Sequence, residues 1–276
     1  MPVLVVTDSS SRLSADMCEK WAIRVVPLHI LLDGVDLRDG VDEIPDDIHK
    51  RHATTAAATP ADLCAAYQQA LADSDGDGVV AVHISSALSG TCAAAQRTGA
   101  DLGAAVRVVD SRTTAMGTGF IALAAARAAA GGADLDAVAA VAGAGVRRSH
   151  AFMVVHRLDN LRRSGRIGGA QAWLGTALAL KPLLRIDDGK LVLAQRARTV
   201  SHATAAMIDR VCEVVGERSA ALAVQHVANP DGANEVAAAL AQRLPACEPA
   251  IISPLGPVLA VHVGGGAVAV CVDVEG

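Results

Sequence analysis

Hydroxyl side chains cluster directly after three short runs of β-branched residues. The clusters occupy residues 7–10, 85–91 and 110–111, and each run before them has the length of a strand. In a parallel sheet, ligands bind beyond the carboxyl ends of the strands. The three clusters are therefore the positions at which binding or catalytic chemistry is expected.

The middle cluster is the most informative, because Ser89, Gly90 and Thr91 open a helix whose free N–H groups and positive dipole end suit an anion. The chain has no G-x-x-x-x-G-K-[ST] motif, and no Lys or Arg lies in residues 85–91, so a triphosphate would find little compensating charge. A few hydroxyls and amides can satisfy a single carboxylate. The alternative is that these residues only cap helices.

A second candidate segment is basic. Residues 158–169 place three arginines in a turn punctuated by glycines, which flank Arg166. A guanidinium offers a planar fork of donors, so Arg166 is a candidate for contacting an anion or a partner surface. A solvated basic face is the alternative interpretation.

A third candidate segment, residues 255–266, contains an isolated histidine, His262, before three glycines. Glycines allow the backbone to approach a ligand closely. The alternative is a purely structural histidine. The remaining histidines form no recognisable constellation.

A serine hydrolase is the main rival from another class of function. It would use Ser89 or Ser86 as nucleophile, with His262 and Asp110. The chain lacks both the G-x-S-x-G elbow and S-x-x-K, which weakens this reading. A dinucleotide-binding oxidoreductase is weaker still, because the glycine pairs at 117–119 and 143–145 lack a third glycine at the required spacing.

Composition excludes several other classes. The net charge of −5 and the scarcity of aromatic residues remove the features with which nucleic-acid binders hold phosphates and stack bases. No apolar run reaches the length of a bilayer, so no membrane span is expected. The amino terminus reads as a strand rather than a secretory leader, which predicts a cytoplasmic protein. Six scattered cysteines without a C-x-x-C pair predict reduced, mostly buried thiols and no metal site.

The elements that position these residues fall into two patterns. Up to about residue 150, β-branched runs alternate with alanine-rich stretches, and Thr59-Pro60 marks one helix start as cap and first residue. Beyond it, a hairpin turned at Asp188-Gly189 indicates antiparallel pairing. The sequence predicts an α/β protein with an N-terminal parallel-sheet α/β domain (1–150) and a C-terminal α+β domain with an antiparallel sheet (151–276). A ligand cavity is expected between them.

Several segments, taken in order, resemble motifs of the DegV family over essentially the whole chain. Early matches are residues 7–10 (the opening T-D-S), 55–60 (T-S-Q-P-S-P), 84–91 (I-S-S-x-L-S-G-T) and 109–111 (V-D-S). Later matches are residues 164–167 (G-G-R-I), 180–183 (the following K-P), 196–199 (K-x-R-T) and 256–266 (G-P-x-x-G-x-H-x-G-P-G). The resemblance is specific because it is distributed along the chain.

The resemblance implies a protein that encloses one long-chain fatty acid, such as palmitate or oleate, without a cofactor and without enzymatic activity of its own. It places the carboxylate on Thr55, Ser89 and His262, beside Gly90 and Thr91, with Arg166 near the entrance. Family members present the lipid to a separate ATP-dependent fatty acid kinase, and the acyl phosphate enters phospholipid synthesis. The resemblance also implies that Arg198 faces this kinase.

The sequence departs from the family pattern in two places. Ala56, Ala57 and Ala58 stand where the family carries the polar S-Q-P, and Gly265 replaces a proline near His262. The first change is expected to alter the surroundings of the head group or the choice of acyl chain. The apolar excess of the sequence, 52% of residues, suits the walls of a cavity for an alkyl chain.

Overall fold

The computed structural model describes residues 2–167 and 180–275. Contacts divide the chain into two compact units, one comprising Met1–Glu43 and Thr55–Arg147, the other Ile44–Thr54 and Arg148–Gly276. The domain boundary at residue 150 stays a prediction. That prediction did not include the short segment Ile44–Thr54, which belongs to the second unit. Gly168 and Gly169 of the basic segment lie outside the described residues.

The elements alternate along the first half of the chain and change order in the second. The strands are β1 (Leu4–Asp8), β2 (Arg24–Val26), β3 (His29–Leu32), β4 (Val35–Arg38), β5 (Ala53–Ala56), β6 (Val79–His83), β7 (Val106–Asp110), β8 (Ser149–Val154), β9 (Leu183–Asp187), β10 (Lys190–Gln195), β11 (Ala220–His226), β12 (Ile251–Pro254) and β13 (Val268–Val274). The α-helices are α1 (Ala15–Lys20), α2 (Pro60–Asp73), α3 (Thr91–Leu102), α4 (Met116–Ala130), α5 (Leu135–Arg148), α6 (Asp159–Ser164), α7 (Val200–Val215), α8 (Pro230–Arg243) and α9 (Pro257–Val263). Two 3₁₀ turns occupy Ser9–Ser11 and Ile48–Lys50.

The main sheet of the first unit is parallel, with strand order β2-β1-β6-β7. All five residues of β6 are buried, as expected of a strand covered on both faces. The register pairs Thr7 with Val82 and His83 with Asp110. The carboxyl ends of β1, β6 and β7 therefore lie side by side, which confirms the predicted parallel sheet and aligns the hydroxyl clusters that follow these strands.

A second, small sheet of order β4-β3-β5 was not predicted. Its β3-β4 hairpin turns at Asp33 and Gly34, both of which have positive φ, as two-residue hairpin turns require. After β5, α2 begins as predicted. The hydroxyl of Thr59 accepts a hydrogen bond from the amide of Asp62 (3.1 Å), and Pro60 is the first helical residue.

The second unit contains a six-stranded sheet of order β10-β9-β8-β13-β11-β12. Its pairings are antiparallel, as predicted, except that β12 at the edge runs parallel to β11. The β9-β10 hairpin turns at Asp188 and Gly189 as predicted, with positive φ at both residues. Side chains of α7 and α8 and of the sheet form one apolar core, in which Met207, Val224 and Leu240 are fully buried.

The predicted α/β class with two domains of different sheet type is confirmed by this architecture. No helix in the described part of the chain is long and apolar enough to cross a bilayer. The cysteines are free, but the prediction that most are buried is wrong: Cys92 and Cys271 are buried, and the other four are partly exposed.

Gly119 in α4 and Gly143 in α5 provide a matched test of the packing. A Cβ atom at Gly119 would lie 2.6 Å from the backbone oxygen of Ser11, whereas nothing lies within 4 Å of one at Gly143. We expect Gly119→Ala to lower the free energy of unfolding by about 1–3 kcal/mol. Gly143→Ala should raise it by up to about 1 kcal/mol, because alanine favours helices. Urea denaturation measures both, and equal effects would contradict the described contact.

Candidate functional site

A buried carboxylate joins the ends of β1 and β6. Oδ2 of Asp8 accepts hydrogen bonds from the amide of Ile84 (2.9 Å) and from Nδ1 of His83 (3.0 Å). Oδ1 of Asp8 accepts from the amide (3.1 Å) and hydroxyl (2.5 Å) of Ser10. Asp8 and His83 are fully buried. These bonds fix the two strand ends from which the hydroxyl clusters at residues 7–10 and 85–91 continue.

The other ring nitrogen of His83 completes the network. Its Nε2 lies 2.7 Å from the hydroxyl of Tyr67 on α2, which is also fully buried. Burial and then the charge of Asp8 raise the pKa of Tyr67 far above its ordinary value, so the phenol keeps its proton. A carboxylate can only accept hydrogen bonds, so the bond between Asp8 and His83 places a proton on Nδ1 of the imidazole.

The expectation that the histidines other than His262 form no constellation is therefore wrong for His83. The available signal was register: Asp8 and His83 each end a strand, and β1 pairs with β6 in parallel. Tyr67 lies 16 residues before His83 on another element, and no local pattern connects the two.

The turn between β6 and α3 contains Ser89 and Gly90, and α3 begins at Thr91. The amide of Ser89 donates to the carbonyl of Ser85 (3.1 Å), and the turn is held to the segment after β7 by the amide of Ser85 bound to the carbonyl of Thr113 (2.9 Å). Gly90 is exposed at the N-cap position of α3. The amide of Thr91 donates to the partly exposed hydroxyl of Ser89 (3.3 Å).

Thr91 also connects this turn to the segment that carries Thr55. Its buried Oγ1 lies 2.9 Å from Oγ of Ser89 and accepts a hydrogen bond from the amide of Ala58 (3.3 Å). Thr55, which is partly buried in β5, precedes Ala58 by three residues. Thr55 and Ser89 therefore lie on segments that share one hydrogen-bonded link.

Asp110, the acidic residue of the rival hydrolase triad, is engaged elsewhere. Its Oδ2 accepts from the hydroxyl of Ser86 (2.5 Å), and its Oδ1 accepts from the amide of Arg112 (2.9 Å). A triad needs a carboxylate that orients an imidazole. The hydrogen bonds of Asp110 go instead to a hydroxyl and an amide. Those of Ser89 go to Thr91 and Ser85. These contacts therefore give a serine hydrolase no support.

In the second unit, the structure brings His262 and Arg166 close enough to interact electrostatically. His262 occupies the last turn of α9, where burial and then the charge of Arg166 lower its pKa to about 4. Arg166 follows the left-handed Gly165 that ends α6, and its Nη1 donates to the carbonyl of Ser164 (2.5 Å). His262 is therefore neutral at neutral pH and can donate a hydrogen bond without carrying charge.

The three glycines after His262 accommodate side chains. A Cβ atom at Gly264 would lie 3.2 Å from the amide nitrogen of the Asn160 side chain, one at Gly265 would lie 2.8 Å from the ring of His49, and one at Gly266 would lie 2.4 Å from the ring of His156. The sequence predicted close approach of backbone and ligand here. The observed close approach is to side chains of the same unit, including one from the segment Ile44–Thr54.

Arg198 lies on the loop between β10 and α7 and is exposed. The next residue, Thr199, caps α7 by accepting from the amide of His202 (3.2 Å). This cap gives the loop a defined end beside the arginine. Within residues 2–167 and 180–275, no group of three or more His, Cys, Asp or Glu side chains is placed to hold a metal ion.

The effect of the Arg166 charge on His262 predicts a pKa change. We expect Arg166→Ala to raise the pKa of His262 from about 4 toward 6.5 but not to reach it, because burial is the larger cause. A histidine whose folded pKa is lowered stabilises the protein above its ordinary pKa, so stability should fall as the pH decreases from 6.5 toward 4.

Titration by NMR of the histidine ring protons measures this change. His226 is the internal control, because its pKa is lowered by burial alone. An unchanged pKa for His262 in the Arg166→Ala variant, with His226 also unchanged, would show that the charge of Arg166 does not act on His262.

Comparison with known proteins agrees with this geometry. A family model described as "Uncharacterised protein, DegV family" matches residues 2–275. A DegV domain-containing protein of Mycobacterium tuberculosis is 75% identical over 274 residues, covering 99% of this chain and 98% of the relative. One from Streptomyces coelicolor is 36% identical over 275 residues, covering 98% of both chains.

Solved structures give the same result. A fatty-acid-binding DegV family protein from Thermus thermophilus superposes with a TM-score of 0.90 at 32% identity, with full coverage of both chains. DegV from Bacillus subtilis, a fatty acid binding protein, superposes with a TM-score of 0.89 at 27% identity, again with full coverage of both chains. The sequence motifs, the two sheets and these matches agree, and the chain belongs to the DegV family.

Proposed function

We propose that this protein binds one long-chain fatty acid, such as palmitate or oleate, and holds its carboxylate by uncharged donors. The observation that carries the proposal is the Ser85–Thr91 turn, which contains no basic side chain and presents a partly exposed hydroxyl, Ser89, at the start of a 12-residue helix. Such a turn can satisfy one negative charge but offers little to a triphosphate. The fatty-acid-binding relatives support the same ligand class.

The head group is proposed to contact Thr55, Ser89 and His262, with the backbone of Gly90 and Thr91 adding to the positive field of the helix start. A carboxylate only accepts hydrogen bonds, and a neutral His262 supplies one N–H donor. Arg166 is the proposed cation near the entrance. Buried without such donors, the carboxylate would be a costly unpaired charge.

The acyl chain is proposed to supply most of the affinity. Each methylene removed from water contributes roughly 0.8 kcal/mol, so the tail outweighs the few hydrogen bonds of the head group. Ala56 and Ala57 replace larger polar residues of the family motif beside the head group, and we propose that this change affects the choice of acyl chain.

The head-group role predicts that removing one hydroxyl weakens the binding of an acid but not of its ester. Ser89→Ala and Thr55→Ala should each lower the affinity for palmitate by about 1–3 kcal/mol while changing that for methyl palmitate much less. Ser86→Ala is the control, because that hydroxyl binds Asp110. Isothermal calorimetry measures each pair of ligands. Equal losses for acid and ester would show that these hydroxyls do not contact the carboxylate.

We further propose that the bound fatty acid is presented to a separate ATP-dependent kinase in the cytoplasm. The carboxylate oxygen would attack the γ-phosphorus of ATP, the bond to the β,γ-bridging oxygen would break, and ADP would leave, which yields an acyl phosphate for phospholipid synthesis. The chain itself has no phosphate-binding loop with its lysine, which is consistent with a substrate-presenting role. Exposed Arg198 is the residue proposed to face the kinase.

Presentation and binding can be separated by variants. With a fatty acid kinase, ATP and Mg²⁺, Arg166→Ala and His262→Ala should abolish most acyl phosphate formation, because donors near the head group matter more as charge develops. Arg198→Ala should raise the kinase concentration needed for half-maximal rate and leave fatty acid binding intact. Arg210→Ala, which removes an exposed arginine paired with Glu213, is the control. Parent-like turnover in all three variants, measured with labelled ATP, would overturn the presentation role.

A further inference from the structure

Thr91 has a hydrogen-bonding arrangement that constrains proton positions. A hydroxyl has one proton to donate and two lone pairs that accept. The amide of Ala58 donates to Oγ1 of Thr91 (3.3 Å), so one lone pair is used. The second neighbour of this oxygen is Oγ of Ser89 at 2.9 Å, and the distance alone does not say which hydroxyl donates.

Burial decides the direction. Thr91 is fully buried, and within the described residues its side-chain partners are Ala58 and Ser89. If Ser89 donated to Thr91, the proton of Thr91 would lack an acceptor in a buried position, which is unfavourable. If Thr91 donates to Ser89, every polar group of its side chain is satisfied. The second arrangement is therefore favoured.

The lone pairs and the proton of the Ser89 hydroxyl can be assigned in the same way, and only the proton is left for a ligand. Its oxygen accepts from the hydroxyl of Thr91 (2.9 Å) and from the amide of Thr91 (3.3 Å), which uses both lone pairs. The proton of Ser89 remains, and this side chain is partly exposed. Ser89 is thus arranged as a donor that cannot accept a further hydrogen bond.

We infer that Thr91 is a positioning residue that sets Ser89 as an obligatory donor. The site then selects head groups that only accept, such as a carboxylate, over head groups that also carry a proton, such as an alcohol, because Ser89 has no lone pair left to accept that proton. The inference rests on the proposed fatty acid function. Donation passes from the Ala58 amide through Thr91 and Ser89 to the ligand, and each bond in such a chain polarises the next. The residues that carry it belong to one unit.

The test compares lauric acid with dodecanol, two ligands of equal chain length that differ in the head group. Affinities are measured by competition calorimetry for the parent and for the single variants Thr91→Val, Thr91→Ser and Ser89→Ala. The double variant that combines Thr91→Val with Ser89→Ala is measured in the same way. Thr98→Val replaces another buried threonine of α3 and is the matched control. Thermal melts establish that each variant is folded.

We expect Thr91→Val to lower the preference for acid over alcohol about two- to fivefold, the effect of losing one polarising bond and one fixed rotamer. Thr91→Ser should keep the parent preference, because it keeps the hydroxyl. In the Ser89→Ala background, Thr91→Val should have no further effect on the preference. If Thr91→Val does not fold, Thr91→Cys, whose thiol is a weak donor and acceptor, should give an intermediate loss.

Each contrary result has a distinct meaning. The inference would be overturned if Thr91→Val lowered the preference for acid over alcohol equally with Ser89 present and with Ser89→Ala. It would also be overturned if Thr91→Val and Thr91→Cys both kept the parent preference. Neither result would contradict fatty acid binding. Failure of the parent protein to bind lauric acid would overturn the proposed function and this inference together.

Discussion

The buried carboxylate of Asp8 is the constraint on which the proposed site depends. A buried carboxylate without donors is very unfavourable, and here four hydrogen bonds from Ser10, His83 and Ile84 satisfy it. Because two of these donors end or directly follow β6, the carboxyl ends of β1 and β6 are held in one register. The serine turn begins at the next residue, Ser85, so its position follows from a bond made by Asp8. Tyr67 extends the same network to α2.

The proposed ligand is also a carboxylate, and the side chains assigned to it are uncharged. The side chains assigned to the carboxylate are two hydroxyls and an imidazole that burial keeps neutral, while the nearby cation, Arg166, contributes to that neutrality. Uncharged donors hold an anion without making the empty site a buried cluster of positive charge. In the proposed function, the acyl chain would provide affinity, and the head-group donors would orient the carboxylate for a reaction carried out by another protein.

Local signals predicted much of this architecture. Thr59 with Pro60, Asp188 with Gly189, and the hydroxyl-rich strand ends each act within a few residues, and the structure has the predicted cap, turn and strand ends. The sequence did not reveal contacts between distant segments: the packing of Ile44–Thr54 with the second unit, and the network from Asp8 through His83 to Tyr67. Such contacts depend on tertiary packing, which no short motif encodes.

The most direct measurement of the central claim is native mass spectrometry of protein purified from cells, followed by organic extraction of the retained molecule. The account predicts one fatty acid per chain, released on denaturation and replaced when palmitate or oleate is added to delipidated protein. A chain that carries no lipid after purification and takes up neither added acid would contradict it.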